Sequence, residues 1–399
     1  MKVLGINCVY NYGSTGRLVK SLHEGLLEND HESIVLYGRN PKSNDEGVYK
    51  TSSEFGAKIH SAFARLLGDE FAHSFFATKK AIKIIEREKP DVVHLHCLNG
   101  NFINVYSLIK YLKKNGIKTV LTLHADIMHT AGCEHAVDCE KWKTECHNCP
   151  KIRGKVSRLW RDDARRCYRK MKASIEGFSD LTVVGVSKWL TDRAAQSPIF
   201  EGCRFATVHN GVDTSVFRPT KSNKRAELGI GEDEKVVLHV TPDFRHDSIK
   251  GSRYVSALIK EMPEYKFIIV GKGTDGVSFP ENVITVPHTS NTRELAEIYS
   301  LSNVTLLTSI RETYSMVCAE SLCCGTPVAG FFAGGPESIC LPEWSLFCPQ
   351  GDMDALKANV KALASKEKTD FLSAAEREYS SASMYKNYME LYQSDETKG

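Results

Sequence analysis

The chain has 399 residues, 42% of them hydrophobic and 25% charged, with a formal net charge of +3. This is the balance of a globular protein, and the length exceeds one ordinary core, so two domains are expected. The mild charge does not call for nucleic acid, and no apolar run approaches the roughly 20 residues of a membrane span.

The first residues, MKVLGINCVY, lack the charged n-region and cleavage site of a signal peptide and read as a strand, so a cytoplasmic location is expected. Thirteen cysteines in that setting point to thiols or a metal site, not to a disulfide framework. After the first strand, short β-branched runs recur: SIVLYG, DVVHLHCL, KTVLTLHA, LTVVGVS and FATVHNG. A second series follows with KVVLHVT, KFIIVGKG, NVITVP, VTLLTS, TPVAGF and SLFC. Continuous apolar runs of this length are the mark of buried parallel strands. Helix-length segments such as 15–29 and 78–89 separate them, which predicts an α/β protein of two Rossmann-like, doubly wound domains facing a central cleft. We expect an N-terminal domain over 1–205, a C-terminal domain over 206–379, and a helix over 380–399 that packs back on the first. A hinge should fall near 192–219.

Polar residues at the strand ends carry the chemistry. NYGSTGR places Gly13 and Gly16 between the first strand and the first helix, where a tight turn could approach a phosphate. TLHADIMHTAGC puts His124 at the end of a strand, where a histidine can be structural or functional. CEHAVDCEKWKTECHNC brings Cys133, Cys139, Cys146 and Cys149 into 17 residues, closing with Cys-x-x-Cys, which suits a structural tetrahedral zinc without catalysis. His135 or His147 could replace one thiolate.

From Lys151 to Lys172 there are ten basic residues against Asp162 and Asp163. Trp160, Ala164, Cys167, Met171 and Ile175 recur there at helical spacing. Such a helix either packs on the core or lies on an anionic membrane.

In the second half, TPDFRHDSIKG follows a strand and offers Arg245 and Lys250, which could grip a diphosphate. RETYSMVCAESLCCGTPVAGFFAGGPE sets Glu312 eight positions before Glu320. On one continuous helix the two would lie about 12 Å apart along the axis, too far to flank one bond. A break is expected instead: Glu312 on a loop, then a helix capped by Ser315 and stopped by Gly325 and Pro327. The N–H groups at Ser315, Met316 and Val317 would form a phosphate seat, and Glu320 could accept from both ribose hydroxyls. Asp352 and Asp354 in GDMDALK read as helix capping, not as a metal-binding Asp-x-Asp.

These motifs, taken in order, resemble glycosyltransferase family 4, of GT-B fold and polysaccharide-biosynthesis type. Glu312 and Glu320 match its double-glutamate motif, and CGTPVAG and GGPE follow at its spacing. VHNGVDTSVFRP is similar to its hinge, VGVSKWL to the strand before it, and Arg245 with Lys250-Gly251 to its diphosphate clamp. NYGSTGR is similar to its N-terminal glycine loop, with Ser14 where a second glycine is common. HLHCLNGNFIN resembles another motif of these relatives. The resemblance implies a retaining transfer from a nucleotide-sugar donor without a catalytic metal. Glu320 would hold the ribose, Glu312 would meet the donor sugar, and His124 would touch that sugar. Gly13, Ser14 and Tyr314 would lie on the donor, while His96, Asn99 and Asn101 would line the acceptor cleft. His94 should pack inward. Where the family has Phe-Gly, this chain has Tyr314-Ser315, a bulkier loop.

The expected activity is therefore transfer of a hexosyl group from a UDP- or GDP-linked donor to a saccharide or lipid-linked acceptor, in surface polysaccharide or glycolipid synthesis. Peripheral contact with the inner membrane face is part of that reading. The rivals are a nucleotide-sugar epimerase of the same fold and a non-catalytic sugar-binding partner.

Overall fold

The structure is a computed structural model. It describes residues 1–150, 162–245, 248–287, 289, 291–366 and 372–394. The chain divides into two compact units: Met1–Val208 with Met384–Gly399, and His209–Ser383.

The first unit holds β1 (Lys2–Asn7), β2 (Glu32–Tyr37), β3 (Val48–Lys50), β4 (Val92–Leu95), β5 (Thr119–Leu123), β6 (Leu181–Gly185) and β7 (Arg204–Thr207). They form one parallel sheet in the order β3-β2-β1-β4-β5-β6-β7. The second unit holds β8 (Val236–Asp243), β9 (Lys266–Lys272), β10 (Val283–Val286), β11 (Val304–Leu307), β12 (Val328–Phe331) and β13 (Ser345–Cys348). Its sheet is also parallel, ordered β10-β9-β8-β11-β12-β13. In each sheet the strand order reverses beside its first strand, which opens a crevice at the carboxyl ends of β1 and β4, and again at β8 and β11. Every strand named in advance from its apolar run is present. The exception to that list is β3, whose three residues are too few to carry a pattern.

Local chemistry sets the helix ends. Ser53 accepts from the Gly56 N–H at 3.0 Å, Asn104 from Ser107 at 2.9 Å and Ser187 from Leu190 at 3.2 Å. Each supplies an acceptor to a first-turn N–H that the helix itself cannot satisfy. Asp352 does the same for Ala355 at 3.0 Å, so its role is capping.

The helix Ser381–Gln393 carries the chain from the second unit into the first. Met384, Tyr388, Met389 and Tyr392 pack with Val3, Leu22, Leu26, Val92, Val120 and Val184. Burying side chains of this size contributes on the order of 1.5–3 kcal/mol each. The core of the second unit joins Val237, Phe267 and Leu306 to Val255, Leu258, Leu356 and Val360 on two helices.

The helix Ala164–Ile175 buries Ala164, Cys167, Tyr168, Met171 and Ile175. Within Ala164–Ile175 the apolar stripe thus faces the core. Residues 151–161, including Trp160, lie outside the described residues.

Candidate functional site

In the second unit, the loops after β8, β11 and β12 gather the predicted donor residues. Lys250 Nζ donates to Glu312 Oε1 at 2.5 Å, and Ser309 Oγ donates to the same oxygen at 2.8 Å. Both loops are pinned by one backbone and one side-chain bond: Ile310 N–H donates to the Ile249 carbonyl at 2.7 Å, and Thr308 Oγ1 to the Lys250 carbonyl at 2.7 Å. Gly251 has φ +72°, and a Cβ there would sit 2.1 Å from the Thr308 carbonyl oxygen. Only glycine permits that approach.

Glu312 is tied to the loop after β12 as a one-residue strand pair. Its N–H donates to the Ala333 carbonyl at 3.0 Å, and Gly335 N–H donates to the Glu312 carbonyl at 2.9 Å. Glu337 turns back to accept from Gly334 N–H at 2.8 Å and Ala333 N–H at 3.1 Å. Glu337 and Ser309 were not singled out as site residues. Glu337 sits in the GGPE motif, whose spacing was legible although its holding role was not.

Glu320 lies on the helix Met316–Cys323, half-buried, with Oε2 accepting from the Tyr299 hydroxyl at 3.2 Å. The two glutamates are thus on a loop and on a helix. The predicted cap is corrected: Ser315 makes no side-chain cap hydrogen bond and takes φ +81°, a strained value for a non-glycine residue. The bulk of Tyr314 is also resolved. Its ring is buried, 5.8 Å from the His209 ring, and its hydroxyl donates to the Asn210 carbonyl at 2.9 Å. A donor would therefore meet Tyr314 only through its backbone. Met316 and Val317 are half-buried in the first turn of the helix.

Arg245 is exposed and stands apart from the Lys250–Glu312 pair in its contacts. Its guanidinium donates to the Asp275 carbonyl, and its N–H donates to the Asp243 carboxylate at 3.1 Å. The loop after β9 thus fixes it, and Gly273 (φ +74°) lets that loop pass Asp243.

In the first unit, three histidines lie at the ends of β4 and β5. His94 is buried, with Nδ1 2.6 Å from the Tyr392 hydroxyl and Nε2 2.7 Å from Thr122 Oγ1. His96 lies tilted against it at 3.8 Å between ring centroids and reaches His124 with 3.3 Å between Nδ1 and Nε2. Burial lowers the pKa of His94 to about 3 and of His124 to about 4, and holds His96 well below its usual range. All three are neutral imidazoles at neutral pH, so the His96–His124 contact has one donor and one acceptor. Asn7, at the end of β1, accepts from the Cys97 N–H at 3.1 Å and joins the two strands at the crevice. It was not singled out; its signal was an amide closing an apolar strand.

Gly13 (φ +63°) opens the helix Gly13–Glu28, and Ser14 is exposed in its first turn. Tyr12 before it gives no side-chain cap. Asn99 donates to the Glu134 carboxylate at 2.8 Å, and the Asn101 carbonyl accepts from Ser74 Oγ at 3.3 Å.

The predicted structural zinc finds no support in the arrangement of its cysteines. Cys133, Cys139, Cys146 and Cys149 line one small pocket with Thr130, Trp142 and His147. Among the described residues, however, no three His, Cys, Asp or Glu side chains converge as a metal ion requires. Cys146 Sγ instead donates to the Thr130 carbonyl at 3.5 Å, and His147 Nδ1 lies 2.8 Å from the Glu145 carbonyl. The loop is held by other means: Trp142 Nε1 donates to the Cys139 carbonyl at 2.8 Å, and the Arg193 guanidinium stacks over Trp142 at 4.6 Å.

Two family models match the chain. The one described as Glycosyltransferase Family 4 covers residues 15–216, and the one described as Glycosyl transferases group 1 covers residues 220–378. The chain is 22% identical to N-acetyl-alpha-D-glucosaminyl L-malate synthase of Bacillus anthracis, over 88% of this chain and 84% of that one. It is 21% identical to the putative colanic acid biosynthesis glycosyl transferase WcaC of Escherichia coli K12, over 98% of this chain and 100% of that one. Among solved structures, sucrose-phosphate synthase from Thermosynechococcus elongatus superposes with a TM-score of 0.70 at 16% identity, over 98% of each chain. Anabaena Alr3699/HepE in complex with UDP-glucose gives 0.64 at 13% identity, over 98% of this chain and 99% of that one. Likenesses at these identities carry the fold.

Proposed function

Because the chain belongs to glycosyltransferase family 4 and is a glycosyltransferase of GT-B fold, we propose that it transfers a hexosyl group with retention from a UDP- or GDP-linked donor. The acceptor is a saccharide or a lipid-linked sugar, and the product feeds a surface polysaccharide or glycolipid. The site of action is cytoplasmic, at the inner face of a membrane. Among the described residues no helix is long and apolar enough to cross one.

The observation that carries this reading is the Lys250–Glu312 pair at the carboxyl ends of β8 and β11, with Glu320 on the helix that follows. A departing nucleoside diphosphate gathers negative charge, and fixed positive groups lower the barrier to its departure. Lys250, Arg245 and the N–H groups opening the helix Met316–Cys323 are such groups. Glu320 offers a carboxylate oxygen to the ribose hydroxyls while Tyr299 steadies the other. Glu312, released from Lys250 by the incoming diphosphate, becomes available to the hydroxyls of the donor sugar. His124, neutral and oriented by His96, can donate to or accept from the sugar without adding charge. His96, Asn99 and Asn101 are the acceptor-side residues of this reading.

The test is a panel of UDP- and GDP-sugars, read by thermal stabilisation and slow donor hydrolysis, with and without brief EDTA. One donor should stabilise the protein and be hydrolysed, and EDTA should leave the rate largely intact. A chain that no nucleotide sugar stabilises does not act this way. Donor isomerisation with no transfer product would favour the epimerase.

A further inference from the structure

Eleven large apolar side chains are exposed among the described residues, and seven of them fall between Phe55 and Phe76. The helix Glu54–Leu67 buries Ala57, His60 and Ala64. Phe55, Ile59, Phe63 and Leu66, spaced four, four and three apart, therefore share the opposite face. The same surface continues into the next helix, Phe75–Glu88. His60 Nδ1 lies 2.6 Å from Ser74 Oγ, the Phe63 and His73 rings are 5.8 Å apart, and Phe75 and Phe76 follow, the latter 86% exposed. Contiguous apolar surface of this kind marks a binding face.

Its charge identifies the partner. Lys58 and Arg65 flank the stripe on the first helix, and Lys79 and Lys83 extend the outward face of the second; all four are exposed. The nearby acids are already engaged: Glu54 by Arg39 at 3.0 Å and Lys50 at 3.1 Å, and buried Asp69 by Lys170 at 2.9 Å. Phenylalanine and leucine on one face with cations at its border are what an interfacial helix presents to lipid. The side chains enter the acyl boundary while the cations meet anionic headgroups.

We propose that the face formed by Phe55, Ile59, Phe63, Leu66, Phe75 and Phe76 seats the protein on an anionic lipid surface. This rests on the reading of the acceptor as lipid-linked and places the contact on these two helices.

The experiment is cosedimentation of the full chain with vesicles of phosphatidylglycerol and phosphatidylethanolamine, against phosphatidylcholine alone. The protein should partition to the anionic vesicles and be released by salt. Phe55→Ser with Phe63→Ser and Leu66→Ser should lower partitioning roughly ten-fold or more, and Lys79→Glu with Lys83→Glu should abolish the anionic preference. Both variants change exposed positions, and the second keeps the test open should the first fold poorly. No partitioning by the unaltered protein, or variants that both partition as the unaltered protein does, overturns the proposal. Self-association in light scattering that the serine variant abolishes would assign the face to a second copy and also overturn it. Donor hydrolysis measured on the same samples separates the two readings: vesicle binding without hydrolysis removes the proposed function and leaves the surface standing.

Discussion

Lys250 and Glu312 form an ion pair, Nζ to Oε1 at 2.5 Å, in which both side chains are largely shielded. The cation proposed to hold a diphosphate is thus neutralised by the carboxylate proposed to read the sugar. A donor has to exchange one negative partner of Lys250 for another, and the exchange frees Glu312 at the moment that a sugar arrives.

Glu312→Ala should therefore tighten binding of the bare nucleoside diphosphate, by a few-fold, because Lys250 no longer has to leave a carboxylate. The same change should lower transfer at least 100-fold if the glutamate meets the donor sugar in the transition state, the equivalent of about 2.7 kcal/mol. Calorimetry with the diphosphate and steady-state rates separate the two. Weaker diphosphate binding in this variant would remove the exchange.

Glu320→Ala should weaken the diphosphate by about 1.5–3 kcal/mol, the range for hydrogen bonds to a charged group. The loss should disappear for a 2′,3′-dideoxy analogue, which has no hydroxyls to present. Tyr299→Phe should give a smaller loss, since it only steadies Oε2. An undiminished penalty on the dideoxy ligand would mean that Glu320 acts through the fold.

Gly335→Ala tests the loop that carries Glu312. A Cβ there would lie 2.3 Å from the Thr313 carbonyl oxygen and 2.7 Å from Tyr314 N, so backbone must move. We expect donor binding to fall at least ten-fold and the melting temperature to drop, with a destabilisation of roughly 1–3 kcal/mol typical of overpacking. Unchanged affinity would show that the loop position does not matter to the donor.

His94 gives a pH dependence with a defined sign. Its folded pKa is depressed to about 3 by burial, against about 6.5 for an unfolded chain. Below pH 6.5 the unfolded state takes up a proton that the folded state refuses, so stability present above that pH is lost as pH falls toward 3. Between pH 6.5 and 5 this one group should cost about 2 kcal/mol. Denaturant titrations at pH 7, 6 and 5 should show a shallower loss in His94→Gln than in the unaltered protein. Parallel losses would mean that other groups carry the acid sensitivity.

The sequence by itself determined the two parallel sheets and the places where chemistry could stand. Strands buried in a parallel sheet are apolar along their length, and among the described residues twelve of the thirteen strands carried such a run. Glycines, a proline and two carboxylates at fixed spacing likewise marked the loop that bears Glu312 and the helix that bears Glu320. Tertiary structure decided what those residues touch. Nothing local says that Tyr314 turns into the core toward Asn210, that Lys250 meets Glu312 across 62 positions, or that four nearby thiols line a wall without converging. The same holds for the helix Glu54–Leu67, which reads EFGAKIHSAFARLL and is apolar on more than one side. Periodicity predicts a helix there but not its rotation. Only packing against its neighbours put Ala57, His60 and Ala64 inside and left the phenylalanines out: the His60 ring is held there by Ser74 Oγ at 2.6 Å and the Glu70 carbonyl at 2.8 Å, partners that periodicity does not encode.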